Sequence, residues 1–513
     1  MISWINRLAE LHGLPEWSGE PLIQTHISAV LLGRDRVLKL KKPVNFGFLD
    51  YTTPDKRLEA CRAEVELNSR LSPDVYLGVE TLGEGETLDY GVLMKRLRAE
   101  RMLDELVRRD EVTEAMIRDI AKVLASFHHH ARRGPDVDRY GQLAAIEANW
   151  RENFEQTEGP TWTDVAPRER ALIRPWVQHE MGQHAALFEA RVTGGHIVDG
   201  HGDLRCESIN VAERIHIFDC IEFNERFRCG DTASEVAFLA MDLDARGRPD
   251  LGYYFVEEYL RQRPDDGLLQ LQPFYRCYRA FVRGKVAGFR LAEAEFSDEE
   301  KQAARTEAVH YFDVARRYAD RLRDQTVIVV AGLSGCGKTA IARSIAGELG
   351  LQVISTDGVR RDLYGEAKAP AAYGEGVYGR EQSEQTYRTL LERAGAALRH
   401  TGGVVVDGTF ADEAQRISVA KLAEAEGARL RVVECSLEQA RVRERLARRA
   451  ERGDGLSDAN WEIYLLQRAA YRPWGEGTLR LDTGVALSAA AHQAADWLRE
   501  TAVVASGGAD AVL

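Results

Sequence analysis

Apolar and polar positions in the first hundred residues alternate over short segments. Between residues 27 and 41, ISAVLL, the polar turn GRDR and VLKLK predict a β-hairpin. A second hairpin is predicted over 84–97, where the last strand is YGVLMKRL. Between the hairpins, five residues recur at helical spacing and predict a helix over 54–71: Leu58, Cys61, Val65, Asn68 and Leu71. From about residue 103 to residue 322 the pattern is mostly helical, interrupted by a strand-and-loop segment at 196–223.

The pattern changes near Arg323–Gln325. Beyond this point the apolar strands TVIVVA, LQVIST, GGVVVDGTF and LRVVECS alternate with helices predicted from residue 338, over about 380–400 and over about 412–426. Such alternation is typical of a parallel, doubly wound α/β sheet. We therefore expect an N-terminal domain at 1–323, a second domain at 324–500 and a disordered tail at 501–513, which is rich in small residues.

Composition indicates an ordinary globular protein with more than one core. The chain has 513 residues, of which 44% are hydrophobic and 29% charged. No apolar run approaches the ~18 residues of a membrane helix, and the first twenty residues do not resemble a signal peptide, so we expect a cytoplasmic protein. The net charge of -13 counts against a protein that coats nucleic acid non-specifically.

The cysteines and histidines do not form a recognisable metal site. Seven scattered cysteines form no CxxC pair. Three consecutive helical histidines, 128–130, cannot chelate one ion from one face.

Candidate chemistry is clearest in the segment GLSGCGKT, which matches the nucleotide-binding motif GxxxxGK[ST] in full. Backbone N–H groups of such a loop can point at a phosphate, and its members here are Gly332, Gly335, Cys336 and Gly337. Lys338 can reach the β- and γ-phosphates, and the Thr339 hydroxyl can ligate Mg²⁺. The motif predicts a site for ATP, with GTP as an alternative, together with Mg²⁺.

Three further features of the second half point to phosphoryl transfer. Asp357 follows the strand LQVIST, where a carboxylate can accept a proton from an acceptor hydroxyl; capping the next helix is the alternative. Asp407 ends the strand VVVD, where a carboxylate can support Mg²⁺. We assign Arg445 to a lid over the transferred phosphoryl group, with a solvated basic face as the alternative. It is one of four arginines that recur at spacings of three and four on a predicted helix: Arg441, Arg445, Arg448 and Arg449.

Together, these residues resemble the small-molecule kinase branch of P-loop proteins. Relatives in that branch include gluconate kinase, chloramphenicol phosphotransferase, zeta-type toxins and polynucleotide kinase. The resemblance covers about 326–498 and implies an α/β P-loop NTPase fold. Because these relatives phosphorylate sugars, antibiotics, nucleotide sugars and nucleic-acid ends, the acceptor stays open.

The first half carries a second resemblance, in the segment HGDLRCESINV followed by HIFDCIEF. His201-Gly202-Asp203 resembles the catalytic loop of aminoglycoside phosphotransferases and, more distantly, of protein kinases. The resemblance covers 20–322 and implies an α+β protein-kinase-like fold, with a small lobe at about 1–97 and a helical lobe at about 98–323. It also implies that Asp203 accepts or orients the proton of the attacking hydroxyl and that Asp219 binds Mg²⁺.

Upstream positions agree with this family. The resemblance implies that Lys39, on the strand VLKLK, is the ATP-phosphate lysine and that Glu64 is its ion-pair partner. Lys41 stays an alternative, because residues two apart on a strand face the same side. Backbone groups near Met94–Arg96 are the implied adenine contact.

The chain also departs from the family pattern. The family places Asn five residues after the catalytic Asp as a second metal ligand, whereas this chain has Ser208, with Asn210 out of register. A serine hydroxyl is a poorer Mg²⁺ ligand than an amide or carboxylate oxygen, and Glu207 and Glu222 are the residues that could compensate. There is also no glycine-rich loop between the first strands. The first domain is therefore either an active phosphotransferase or a nucleotide-sensing or substrate-binding relic.

The phrase KKPVNFGFLDY and the downstream P-loop domain resemble an uncharacterised bacterial two-domain family, in which an aminoglycoside phosphotransferase-like domain is fused to an AAA-type, gluconate-kinase-like P-loop domain. We predict a tandem kinase that phosphorylates a hydroxyl of a small molecule. A nucleic-acid end kinase and a nucleotide-gated regulatory protein are the alternatives, and the acidic charge counts against the first. The oligomeric state is left open.

Overall fold

The structure, a computed structural model, describes residues 22–24, 27–45, 47, 49–83, 88–293, 296–322, 324–365, 379–452 and 460–500. The start of the second predicted hairpin, 84–87, and the predicted tail, 501–513, lie outside these ranges. Contacts divide the chain into two compact units. The first unit comprises Met1–Val112, Asp119–Asn149 and His184–Leu239; the second comprises Thr113–Arg118, Trp150–Gln183 and Ala240–Leu513.

A five-stranded antiparallel sheet opens the first unit, in the spatial order β1-β2-β3-β5-β4. Its strands are β1 (Leu22–Gln24), β2 (Ser28–Leu32), β3 (Arg36–Lys41), β4 (Tyr76–Leu82) and β5 (Asp89–Lys95). Helix α1 (Pro54–Ser69) joins β3 to β4 and begins where Thr53 accepts a hydrogen bond from the Lys56 N–H. The helix ends two residues before the predicted end at residue 71.

The middle of the chain is mostly helical, as predicted. Its helices are α2 (Leu103–Arg108), α3 (Glu114–His130), α4 (Pro135–Asp138), α5 (Leu143–Glu155), α6 (Pro167–Gln183), α7 (Ala185–Thr193), α8 (Glu225–Arg228), α9 (Thr232–Ala245), α10 (Pro249–Gln262), α11 (Asp266–Phe289) and α12 (Asp298–Ala319). The predicted strand-and-loop segment, 196–223, contributes three strands to two short antiparallel pairs, and the fourth strand lies just after it. The pairs are β6 (Ile197–Asp199) with β9 (Cys229–Asp231), and β7 (Ile209–Val211) with β8 (Ile215–Ile217).

The end of the second unit is built on a five-stranded parallel sheet in the order β11-β12-β10-β13-β14. Its elements are β10 (Thr326–Ala331), α13 (Lys338–Leu349), β11 (Gln352–Ser355), α14 (Thr356–Tyr364), α15 (Arg380–Thr401), β12 (Gly403–Asp407), α16 (Glu413–Ala425), β13 (Arg429–Ser436), α17 (Gln439–Arg452), α18 (Trp461–Ala470), β14 (Leu479–Asp482) and α19 (Leu487–Glu500). The central strand, β10, is buried along its whole length because both faces of the sheet are covered. The pattern analysis did not predict β14, α14, α18 or α19.

Helix α10, which precedes residue 323, packs against the helix and strands of this sheet. Tyr253 of α10 belongs to the same buried cluster as Ile341 and Ile345 of α13. Its hydroxyl also accepts a hydrogen bond from the Val353 N–H of β11 at 2.9 Å. A core that includes the P-loop helix therefore takes part of its covering from α10.

Two sequence predictions concern the chain as a whole. All seven cysteines are buried free thiols. Over the ranges that the structure describes, no helix has the length and apolar character needed to cross a membrane.

Candidate active sites

The P-loop joins the end of β10 to the start of α13. Gly332 and Gly337 have φ angles of +137° and +90°, which favour glycine. A Cβ on Gly332 would stand 2.4 Å from the Cys435 carbonyl oxygen, so a side chain would also lack space. Gly335 has a φ of +77° in the same loop, and Cys336 is buried there. The backbone thus has the geometry on which phosphate binding by this motif depends.

Lys338 and Thr339 begin α13, directly after the loop. The Thr339 hydroxyl donates a hydrogen bond to Oδ2 of Asp407 at 2.7 Å, and Lys338 Nζ donates to the Leu333 carbonyl oxygen at 3.0 Å. Asp407 is buried at the end of β12, which lies beside β10 in the sheet. Burial raises the pKa of the Asp407 carboxyl, against the attraction of Lys338. A hydroxyl and a carboxylate in contact form a donor pair that suits Mg²⁺.

Asp357 lies in the first turn of α14. The cap of this helix is Ser355, whose hydroxyl accepts a hydrogen bond from the Gly358 N–H at 3.0 Å, so Asp357 is not used for capping. The partly exposed Asp357 carboxylate accepts a hydrogen bond from Arg360 at 2.9 Å. Burial lowers the pKa of Lys338, but neighbouring groups, Asp357 among them, raise it above its ordinary value overall.

Arg445 of α17 lies against the P-loop. Its Nη2 donates to the carbonyl oxygen of Thr483 at 2.7 Å, and its Nη1 is 3.0 Å from the position that a Cβ on Gly337 would take. Thr483, which sequence analysis missed, donates from its hydroxyl to the Cys336 carbonyl oxygen at 2.5 Å. It follows β14, a strand too short to stand out in the pattern. The side chain of Arg449 lies outside the described part of the chain.

In the first unit, Lys39 and Lys41 extend from the same face of β3. Lys39 Nζ is 2.6 Å from Asp219 Oδ1 and 2.9 Å from Glu64 Oε1, and its side chain keeps 15% exposure. Lys41 is fully buried and pairs with Glu64 and Glu222. Lys39 is therefore the lysine that is open to a ligand, while Lys41 joins two buried carboxylates.

Met94 lies near the end of β5, where adenine binding is implied. Two backbone N–H groups of the predicted contact already have partners. The Lys95 N–H donates to the Val75 carbonyl oxygen at 2.8 Å, and the Arg96 N–H donates to the Asp35 carbonyl oxygen at 2.9 Å. These two amides are thus used to tie the end of β5 to neighbouring segments.

A buried carboxylate, Glu235, holds the loop His201–Asp203, which we call the catalytic loop because of its resemblance to that of aminoglycoside phosphotransferases. Its Oε1 accepts hydrogen bonds from the backbone N–H groups of His201 and Gly202 at 2.5 and 2.9 Å, and its Oε2 is 2.8 Å from His128 Nε2. Although burial opposes ionisation, these contacts hold the pKa of Glu235 at about 2. Nε2 of His201 is 2.9 Å from the Phe218 carbonyl oxygen, which links this loop to the Asp219 segment. His128 is the first residue of the triple histidine, and neither it nor Glu235 was predicted to act here.

Asp219 adopts a left-handed backbone conformation, with a φ of +63°. Such strain persists only where neighbouring groups hold it. The Asp219 N–H donates to the Tyr76 hydroxyl at 3.2 Å, and the Cys220 N–H donates to Asn68 Oδ1 at 2.8 Å. The charge of Lys39 lowers the pKa of the Asp219 carboxyl to about 2. Tyr76 and Asn68, which hold the backbone of this segment, have no local sequence signal.

Asp203 lies at the end of the catalytic loop and is in contact with Arg205, which donates to both of its carboxylate oxygens. The residues considered as second metal ligands have other partners. Glu207 pairs with Arg205 at 2.6 Å, the Ser208 hydroxyl donates to the Arg205 carbonyl oxygen at 2.8 Å, and the Asn210 amide donates to the Arg98 carbonyl oxygen at 2.9 Å.

Two family models match the chain. Residues 30–274 match the phosphotransferase enzyme family, and residues 327–474 match the AAA domain. The uncharacterized protein Rv2004c of Mycobacterium tuberculosis is 34% identical over 478 residues, which cover 90% of this chain and 93% of the relative. The chain belongs to the same two-domain family. The predicted resemblance is confirmed, and so are the protein-kinase-like fold of the first part and the P-loop fold of the second.

Solved structures of lower similarity match each part of this two-domain chain. A choline/ethanolamine kinase family protein from Mesorhizobium loti is 11% identical, covers 62% of this chain and 99% of its own, and has a TM-score of 0.39. A gluconokinase from Sinorhizobium meliloti is 21% identical, covers 35% of this chain and 93% of its own, and has a TM-score of 0.26. From its two family matches, the chain is an ATP-dependent kinase.

Proposed function

We propose that the P-loop half transfers the γ-phosphoryl group of ATP to a hydroxyl of a small molecule. The observation that carries the proposal is the 2.7 Å hydrogen bond from Thr339 to Asp407 beside the P-loop lysine, Lys338. It joins a hydroxyl and a carboxylate at the N-terminus of α13, where backbone N–H groups favour phosphate.

Thr339 and Asp407 would hold Mg²⁺ in this site. When bound, the ion neutralises charge on the β- and γ-phosphate oxygens. The raised pKa of Asp407 supports this role, because a buried carboxylate gains from a cation that offsets its desolvation. Lys338 would stabilise the charge of the same phosphates.

We assign roles in the transfer step to two further residues, Asp357 and Arg445. The acceptor oxygen forms a bond to the γ-phosphorus while the bond to the bridging oxygen breaks, and the electron pair of that bond leaves on ADP. Asp357 would accept the proton of the acceptor hydroxyl. Arg445, which lies against Gly337, would stabilise the charge that develops on the phosphates.

We further propose that the first unit is a second phosphotransferase site. Lys39 and Asp219 would bind the phosphates and Mg²⁺, Glu64 would orient Lys39, and Asp203 would orient the acceptor hydroxyl. The open position of Lys39 supports this assignment. Adenine would lie near Met94, at the end of β5.

The P-loop assignment is tested by Lys338→Ala in the full chain. We expect ATP turnover by the P-loop half to fall by at least about 100-fold, because the lysine stabilises transition-state charge in a desolvated site. Lys421→Ala, a change of an exposed lysine on α16, is the matched control and should leave turnover unchanged. Equal turnover in both variants would contradict the assignment.

The acceptor can be sought with labelled ATP and a cellular metabolite extract. The labelled product should appear with the wild-type chain and be lost with Asp357→Asn, while ATP binding persists in that variant. A product formed equally by Asp357→Asn would remove Asp357 from the transfer step. Label transferred to nucleic-acid ends rather than to a metabolite would favour the end-kinase alternative.

A further inference from the structure

The catalytic-loop aspartate of the first unit, Asp203, forms an ion pair with the side chain of Arg205. The Arg205 guanidinium donates through Nε and Nη2 to the two carboxylate oxygens of Asp203, both at 3.0 Å. This two-bond fork is the geometry with which arginine binds carboxylates and phosphates alike. The Arg205 side chain is 13% exposed, so water screens its charge weakly.

Ser208 fixes the backbone of Arg205. Its hydroxyl accepts a hydrogen bond from the Arg205 N–H at 3.1 Å and donates one to the Arg205 carbonyl oxygen at 2.8 Å. The side chain is buried and closes the short 3-10 turn Cys206–Ser208. A hydroxyl used in this way anchors the arginine rather than a metal ion.

The residues around Asp203 do not fit a second metal ion. Glu207 pairs with Arg205, and Glu222 pairs with Lys41 and accepts a hydrogen bond from Tyr51. The positive charge beside Asp203 comes from a guanidinium.

We propose that Arg205 binds the γ-phosphoryl group of the nucleotide in the first unit and takes the place of a second metal ion. The inference rests on the proposed phosphotransfer by that unit. During transfer the acceptor oxygen bonds to the γ-phosphorus, the bond to the bridging oxygen breaks with its electron pair leaving on ADP, and the acceptor proton passes to Asp203. Arg205 contacts that carboxylate, so its charge lies beside the group in transfer.

Nucleotide binding tests this role without knowledge of the acceptor. Affinities for ADP and for the non-hydrolysable analogue AMPPNP are measured by calorimetry, with Mg²⁺, on the full chain carrying Lys338→Ala to weaken the P-loop site. Adding Arg205→Gln should lower the affinity for AMPPNP by at least about tenfold and change that for ADP by less than about twofold, since only AMPPNP has a γ-phosphate.

We expect Asp203→Asn to have the opposite effect on the affinity for AMPPNP. It removes the anion that competes for Arg205, so the affinity for AMPPNP should rise relative to that for ADP. The rise should disappear when Asp203→Asn is combined with Arg205→Gln. Arg214→Gln, the same change at an exposed arginine in the turn after β7, is the matched control and should alter neither affinity.

The outcomes separate the inference from the proposed function. If both nucleotides bind the Lys338→Ala chain and Arg205→Gln leaves their affinity ratio unchanged, the role of Arg205 is overturned and the nucleotide site stands. If calorimetry detects no nucleotide binding by the first unit in any variant, the proposed phosphotransfer by that unit is wrong. The role of Arg205 is then wrong as well. Should Arg205→Gln fail to fold, Arg205→Lys and Asp203→Asn provide the same comparison, since lysine keeps the charge but loses the fork.

Discussion

Lys39 and Lys41 differ in their surroundings, although both extend from the same face of β3. Lys41 has no exposed surface and lies between the buried carboxylates of Glu64 and Glu222. Lys39 shares Glu64 but reaches the exposed Asp219. Removing a buried lysine leaves its carboxylate partners with uncompensated charges. Removing a partly exposed lysine mainly affects the ligand that the lysine binds.

We therefore expect substitutions of the two lysines to have different effects. In the Lys338→Ala background, Lys39→Ala should weaken nucleotide binding by the first unit and change its stability little. Lys41→Ala should cost about 3–5 kcal/mol in the free energy of unfolding, because Glu64 and Glu222 lose their shared cation. Urea unfolding and calorimetry measure the two effects. A stable Lys41→Ala chain that no longer binds nucleotide would reverse the assignment.

At the scale of elements, the catalytic loop depends on Glu235 of α9 and His128 of α3. The Glu235 carboxylate accepts hydrogen bonds from two backbone N–H groups of the loop and contacts Nε2 of His128. Its pKa lies at about 2 instead of the ordinary 4.5. A carboxyl whose pKa is lower in the folded state adds stability above its unfolded pKa, and this stability is lost as pH falls through the folded value.

The isosteric change Glu235→Gln should expose this pH dependence. Above about pH 5 the variant should be less stable than the wild type by up to about 3 kcal/mol, and the difference should shrink as pH falls from about 4.5 towards 2. Unfolding midpoints of both chains across this range provide the measurement. A difference that does not change with pH would show that the charge of Glu235 is not what stabilises the loop.

At the scale of the whole molecule, the P-loop half draws support from helices that precede it. Arg343 of α13 pairs with Glu114 at 2.5 Å and stacks on Tyr254 of α10, next to Tyr253, which packs in the sheet core. The boundary near residue 323 remains our proposal for where the P-loop domain begins along the chain. Part of its covering nevertheless comes from α10.

Two fragments test this dependence. A fragment of residues 240–513 keeps α10, whereas a fragment of residues 324–513 exposes the core face that Tyr253 covers. We expect the shorter fragment to melt at least about 5 °C lower, because it loses the buried tyrosine and its hydrogen bond to β11. Equal melting temperatures would show that the P-loop domain folds independently of α10. The segments before and after residue 323 would then have separate cores.

Features carried by neighbouring residues were predictable from the sequence. The P-loop is one continuous segment, Gly332–Thr339, and its glycine conformations and the helix after it are local properties of the backbone. The strands of the parallel sheet were predictable for a similar reason, since a buried strand is apolar along its length. The short strand β14 and the polar helix α14 were missed, because neither has a long apolar pattern.

The sequence by itself thus determined the two folds, protein-kinase-like and P-loop, and the motifs that point to nucleotide binding. Only the tertiary structure decided which of the two lysines stays partly exposed beside Asp219 and that Glu235 and His128 hold the catalytic loop. The physical reason is distance along the chain. Lys39 and Asp219 are 180 positions apart, and His128 and Glu235 are 107 positions apart. Contacts of that kind depend on how the elements pack and leave no periodic or local signal in the sequence.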